Sequence, residues 1–385
     1  MNQDSSTREG SVGIVETKYV TFQGDDWVLH LESGDTLHPI NVAYETYGEL
    51  SPNRDNAILV CHALSGDAHA AGYHTDDPNE KPGWWNVHIG PGKPLDTDRY
   101  YVICSNFLGS CKGTTGPADT NPATGKPYGL QFPFYTVKDM VKIQKWLMDY
   151  LGISKLLAVV GGSLGGMQVL QWAISYPEMV RGAIPIATTA RLSPQAIAFN
   201  EVARQAIMSD PDWNFGLYKP DQQPERGLAL ARMIAHITYL SENAMLRKFS
   251  RRMIRGTEPG FKLEADFQVE SYLHHQGHTF VKRFDANTYL YITRAMDYFD
   301  LHLDYGSLPK AFEPCTSTFL VISFTSDWLF PPAQSQELVR AMRQAGKSVS
   351  YCNIGSDQGH DAFLLPGNRM GDVISGFLTR MEKEG

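Results

Sequence analysis

Leu156-Leu157-Ala158-Val159-Val160-Gly161-Gly162-Ser163-Leu164-Gly165-Gly166 is the stretch that decides the fold of this chain. Its five leading residues are apolar on both faces, the pattern of a central strand in a parallel sheet that helices cover from both sides. The run passes into a G-x-S-x-G element, Gly161-Gly162-Ser163-Leu164-Gly165, after which Met167–Tyr176 carries helical apolar spacing. A serine at such a strand-to-helix turn is strained; small neighbours let the flanking chain approach while the hydroxyl projects above the sheet edge. The following helix aims free N–H groups and its dipole at any oxyanion that develops there. A structural glycine turn would spell the same letters in a chain with 34 glycines, so the reading depends on what stands elsewhere.

Working outward, apolar runs at Ala57–Cys61, Tyr100–Cys104, Ala183–Ala187, Phe319–Phe324 and Val349–Ile354 read as further strands. Helical spacing marks Thr136–Leu151, Ala333–Ala345 and Val373–Met381, and Gly109–Gly129, rich in Gly, Thr and Pro, reads as a long loop. Strand and helix alternate, which is the α/β signature. From about Arg191 to Ser307 the pattern changes to helical segments without a clear strand, among them Ile197–Met208, Leu228–Leu240 and Asn287–Phe299. The expected organisation is therefore an α/β core formed by residues 1–190 and 308–385, split around a helical lid insertion at 191–307.

Two residues in the second half give the serine its partners. Asp327 follows the strand Phe319–Phe324, and His360 follows Val349–Ile354. Serine, acid and histidine in that order, the last two on loops after late strands, form the triad order of a serine nucleophile on an α/β sheet. His360 would take the proton of Ser163, while Asp327 would hold the imidazole tautomer and stabilise the imidazolium. Acyl transfer also needs oxyanion donors. The backbone N–H of Leu164 is one candidate, and Leu64, in the loop after the strand Ala57–Cys61, is the other.

The remaining composition narrows the function class. With 385 residues, 42% hydrophobic and 20% charged, and a formal charge of −8, nothing points to nucleic acid or an anionic membrane surface. There is no apolar run long enough to span a membrane, and Met1–Gly10 is polar and mixed in charge, so a cytoplasmic location is expected. Five cysteines without Cys-x-x-Cys spacing read as reduced thiols. His62, His69, His74 and His88 fall at irregular intervals with no ligand pattern, so no metal is expected. Gly109–Gly116 has neither the order nor the lysine of a phosphate loop.

Across about Ser11 to Leu365 the chain resembles the homoserine O-acyltransferases of the α/β-hydrolase type. The resemblance rests on Tyr44-Glu45-Thr46-Tyr47-Gly48, Cys61-His62-Ala63-Leu64-Ser65-Gly66, Lys81-Pro82-Gly83-Trp84-Trp85, Gly161-Gly162-Ser163-Leu164-Gly165-Gly166-Met167-Gln168, Phe284-Asp285-Ala286-Asn287 and Gln358-Gly359-His360-Asp361. One departure is Leu164, where many members carry Met; a residue that contributes its backbone N–H puts little in doubt. The resemblance implies that Ser163, Asp327 and His360 are catalytic and that Arg232, Tyr239 and Asp361 form the homoserine site. It implies acetyl-CoA as co-substrate with no bound cofactor, and a ping-pong transfer to L-homoserine. The lid would exclude water and provide a homodimer interface. Leu329 stands where members using succinyl-CoA tend to carry arginine, which favours an acetyl donor. A succinyl donor, a serine acceptor, an esterase with the same triad and a non-catalytic binding protein are the alternatives.

Overall fold

Eight strands form one sheet in a computed structural model that describes residues 10–219, 221–256, 260–261, 263–367 and 369–383. The Met1–Gly10 segment read above as polar lies, apart from Gly10, outside the described residues. In chain order the strands are β1 (Lys18–Phe22), β2 (Ile40–Tyr47), β3 (Ala57–Cys61), β4 (Tyr101–Ser105), β5 (Leu156–Gly162), β6 (Val180–Ile186), β7 (Thr318–Phe324) and β8 (Val349–Ile354). Their spatial order is β1-β2-β4-β3-β5-β6-β7-β8. Pairing is parallel from β4 through β8 and antiparallel where β1 meets β2 and β2 meets β4.

The parallel strands were legible because both their faces are covered: every residue of β3 and of β5 is buried. Helices α1 (Val137–Tyr150), α2 (Leu164–Ser175) and α10 (Pro332–Gln344) pack on one side, and α11 (Met370–Lys383) lies against β5 and β6 on the other. Helix α1 begins with a capping box in which Thr136 accepts from the N–H of Asp139 and Asp139 accepts from that of Thr136. Strands β1 and β2 escaped the sequence reading, since β2 is buried almost throughout yet carries polar residues such as Glu45. Gly109–Gly129 is not wholly irregular either: Thr120–Asn121 pairs with Lys126–Pro127.

Buried Glu45 ties this N-terminal layer to the loop after β3. Its carboxylate accepts from Thr17 Oγ1 at 2.7 Å, Tyr47 OH at 2.8 Å, His69 Nδ1 at 3.0 Å and His74 Nε2 at 2.8 Å. Burial raises its pKa, but the two histidines and Thr17 outweigh that and bring it down to about 2, so the group stays anionic where an unpaired carboxylate would be costly.

Between β6 and β7 the regular elements among the described residues are helices. Helices α3 (Pro194–Met208), α4 (Glu225–Tyr239), α5 (Glu242–Phe249), α6 (Gln268–Val281) and α7 (Ala286–Tyr298) are followed by the short α8 (Leu301–Tyr305) and α9 (Leu308–Phe312). Ser193, Ser241 and Asp285 cap α3, α5 and α7 by accepting a backbone N–H with their side chains. Helix α4 packs between α3 and α6, and Arg204 of α3 reaches Asp297 of α7 at 2.8 Å with both side chains buried.

Helix α2 starts directly after Ser163, at Leu164, three residues earlier than its apolar spacing suggested. Gly165 makes this possible: a Cβ there would lie 2.1 Å from the Cys61 carbonyl oxygen at the end of β3. Gly165→Ala is therefore expected to destabilise the fold by about 1–3 kcal/mol through overpacking, read as a lower urea midpoint and Tm. Unchanged unfolding curves would contradict so close an approach.

Candidate active site

Ser163 stands between β5 and α2 with φ +58° and ψ −123°, a left-handed conformation that costs a non-glycine residue free energy and persists only where the surroundings enforce it. Its N–H bonds the Ile186 carbonyl of β6 at 3.0 Å, and its own carbonyl accepts from Thr188 Oγ1 at 2.8 Å. The side chain makes no capping bond to the helix it opens, which leaves the hydroxyl for chemistry. It faces a cavity of about 50 Å³ lined on one side by Leu64, Leu329 and Phe330 and on the other by residues of α3, α4 and α7.

The structure brings the other two predicted triad residues together. His360 is the second residue of a 3₁₀ turn, Gly359–Leu364, and its Nδ1 lies 2.8 Å from Asp327 Oδ2. The other carboxylate oxygen of Asp327 accepts from the N–H groups of Leu329 at 3.1 Å and Phe330 at 2.9 Å. Both side chains are almost fully buried. Burial lowers the His360 pKa, yet the charge and hydrogen bond of Asp327 more than compensate and leave it raised. Phe330, Phe363 and Tyr239 surround the imidazole at ring separations of 5.0, 5.6 and 6.0 Å. Gly359, at φ +75°, is pressed onto the end of α4, where a Cβ would strike the Tyr239 carbonyl oxygen at 2.6 Å.

The two proposed oxyanion donors come from different elements, Leu164 from α2 and Leu64 from the loop after β3. Leu164 is the first residue of α2, where the N–H has no intrahelical acceptor. Leu64 is the second residue of a turn closed by the Gly66 N–H on the Ala63 carbonyl at 3.0 Å. Sequence reasoning missed what holds that turn. His62 is buried and stacked on Phe107 at 4.2 Å, and burial brings its pKa down to about 4, so it is neutral. Its Nδ1 donates to the Ala63 carbonyl at 2.8 Å, while Nε2 accepts from the Phe107 N–H at 3.3 Å. Gln168, one helical turn after Leu164, donates to the carbonyls of His62 at 3.1 Å and Leu164 at 3.3 Å, linking both oxyanion segments. Its place in the Gly161–Gln168 motif, four residues after Leu164, was the available signal.

Arg232 and Tyr239 both lie on α4, and the Arg232 guanidinium stands 5.6 Å from the centre of the Tyr239 ring. Arg232 Nη1 also meets Ser65 Oγ at 3.3 Å. Half-buried Asp361 follows His360; its burial raises the pKa while the charges of His360 and Arg232 pull it down, with a net rise. A cation and an acid thus flank Tyr239 beside the imidazole.

Of the four histidines considered as a cluster, His69 and His74 meet at Glu45, where three ligand-type atoms lie within 4.8 Å of one another. Their contacts with the carboxylate, 3.0 Å for His69 and 2.8 Å for His74, are hydrogen bonds, and His62 and His88 are buried elsewhere.

Residues 56–366 match the family model for the alpha/beta hydrolase fold. A homoserine O-acetyltransferase of Methanohalobium evestigatum is 57% identical over 96% of this chain and 74% of its own length. Among solved structures, homoserine O-acetyltransferase from Bacillus anthracis superposes with a TM-score of 0.88 at 32% identity, covering 95% of this chain and 98% of the other. Esterase E22 superposes with a TM-score of 0.86 at 31% identity over 95% of this chain and all of its own. On fold and on sequence alike, the chain belongs to the homoserine O-acetyltransferase family of alpha/beta hydrolase-fold proteins.

Proposed function

We propose that this protein transfers the acetyl group of acetyl-CoA to the hydroxyl of L-homoserine, giving O-acetyl-L-homoserine and CoA, through an acetyl-enzyme on Ser163. The observation that carries the reading is that Tyr239 and Phe330, which pack against the imidazole of the Asp327–His360 pair, also line the cavity at the strained serine, with the Arg232 cation and the Asp361 acid acting on the same Tyr239.

Ser163 Oγ attacks the thioester carbonyl as its proton passes to His360 Nε2, and the oxyanion is met by the N–H groups of Leu64 and Leu164. Collapse breaks the carbon–sulfur bond, and the leaving sulfur takes the proton from His360. The same imidazole then accepts the proton of the homoserine hydroxyl, whose oxygen attacks the acyl carbon; collapse frees the ester and returns the proton to Ser163. Arg232 suits the acceptor carboxylate through its planar fork, and Asp361 suits the ammonium.

An esterase would use water in the second step, and the likeness to esterase E22 keeps that reading in view. The zwitterion-matched groups around Tyr239 favour the amino-acid acceptor. Lid contacts also suit exclusion of water: Trp328 Nε1 donates to the Leu240 carbonyl at 3.0 Å, and Arg247 of α5 pairs with Asp357 in the loop before His360. For the donor, the cavity at Ser163 has apolar Leu329 in its wall and no Arg or Lys among its lining residues. A succinyl carboxylate there would be desolvated without a partner.

A homodimer through the lid suits the exposed Val202 of α3 and Leu230 and Ile237 of α4. The setting is methionine biosynthesis in the cytoplasm, which suits five free cysteines. No helix among the described residues is long and apolar enough to cross a membrane.

Ser163→Ala is expected to lower kcat by about a thousandfold or more. Wild-type protein mixed with acetyl-CoA alone should gain one acetyl group on Ser163 by mass spectrometry. Acetylation at another residue, or a near-normal rate in the variant, would refute the covalent route. Leu329→Arg should shift the ratio of kcat/KM values for acetyl-CoA and succinyl-CoA towards the succinyl donor at saturating homoserine. A wild-type preference for succinyl-CoA would overturn the donor assignment.

A further inference from the structure

We infer that Arg283 is the second guanidinium of the acceptor's carboxylate site, forming with Arg232 a two-arginine clamp anchored on Ser65; the inference rests on the acceptor reading above. Arg283 lies just beyond the end of α6, far in sequence from both α4 and the loop after β3. Its Nη1 donates to the Ser65 carbonyl at 2.9 Å, while Arg232 Nη1 donates to the Ser65 hydroxyl at 3.3 Å. Both guanidiniums stand against the same ring, Phe280, at 4.6 Å for Arg232 and 5.2 Å for Arg283. Two lid segments thus deliver two cations to one residue, the neighbour of the oxyanion donor Leu64.

Among the described residues neither arginine has a carboxylate within ion-pair distance; Asp67 acts on Arg283, and Asp361 on Arg232, only at longer range. A guanidinium has five N–H donors, and each of these spends one on Ser65. Like charges set side by side away from water are unfavourable, and Arg283 carries the mark of it: burial first, then the charge of Arg232, lower its pKa. Buried His236 feels the same field, its pKa brought down to about 3 by burial and by Arg232, Lys248 and Arg283, and its Nε2 has no partner.

A monoanion with two acceptor oxygens relieves this repulsion and fits two planar forks. The α-carboxylate of an amino acid is such a ligand. Because both arginines are fixed to Ser65, its binding would be registered to the Leu64 turn, setting the acceptor hydroxyl relative to the acyl carbon.

The test compares wild type with Arg283→Gln and Arg283→Lys in three measurements: acetylation of Ser163 by acetyl-CoA alone, kcat/KM for L-homoserine, and kcat/KM for homoserine amide, in which the carboxylate is a neutral carboxamide. Arg283→Gln should cut homoserine efficiency by about tenfold or more, mainly through KM, because a charge-assisted contact is lost. Acetylation of Ser163, and efficiency with the amide, should each stay within about twofold of wild type, since neither step uses that contact. Arg283→Lys should recover part of the loss by keeping the charge without the fork. Equal losses for homoserine and its amide, or acetylation slowed as much as turnover, would overturn the proposal and make Arg283 a support of the loop or a contact of the donor. Wild-type protein that acetylates Ser163 but passes the group to water as readily as to homoserine would instead remove the acceptor reading itself.

Discussion

The closeness with which helix α2 approaches the end of β3 is the constraint on which the site depends. Gly165 brings the helix backbone against the Cys61 carbonyl, and Gly161 lies against the same atom, where a Cβ would come within 2.6 Å. With the helix held that near, Ser163 has no room for an ordinary conformation and takes φ +58°, which lifts its hydroxyl off the sheet edge. Gln168 fastens the arrangement from behind; it accepts from Gln144 Nε2 at 2.7 Å, and Gln144 accepts from Trp172 Nε1 at 2.7 Å. Fully satisfied buried polar groups of this kind fix a single geometry, where a half-satisfied set would cost stability.

The helices between β6 and β7 are part of that geometry. Their strand-facing end touches both triad loops: Trp328 bonds Leu240, Ser241 Oγ bonds the Asp357 carbonyl, and Gly359 abuts the end of α4. Motion of α4 would therefore be felt at His360 and, through Arg232, at Ser65. Under the proposed function, the helix that carries Arg232 and Tyr239 would couple acceptor recognition to the loop that carries His360.

How much was legible in the sequence follows from the range of each interaction. The nucleophile turn is local, so Gly161–Gly165 reveals it, and Asp327 and His360 are found by their order after apolar runs. The α2 start was placed late because Leu164, Gly165 and Gly166 carry no amphipathic spacing, although all three are buried helix. Strands β1 and β2 were missed because antiparallel pairing at the sheet margin permits polar residues inside, Glu45 among them. Arg283 was invisible because its contact spans 218 positions to Ser65, and nothing local distinguishes it from a surface cation. His69 and His74 show no ligand pattern in the sequence, since only the chain's return to Glu45 brings their tilted rings to 3.8 Å.

In the proposed mechanism one serine carries the acyl group between two half-reactions. It is tested most directly by exchange of isotopically labelled CoA into acetyl-CoA with no acceptor present. Label should appear in acetyl-CoA in the absence of homoserine and fail to appear with Ser163→Ala, because a reversible acetyl-enzyme needs only the donor. Exchange that requires homoserine would mean that donor and acceptor react within one complex, and would contradict the account.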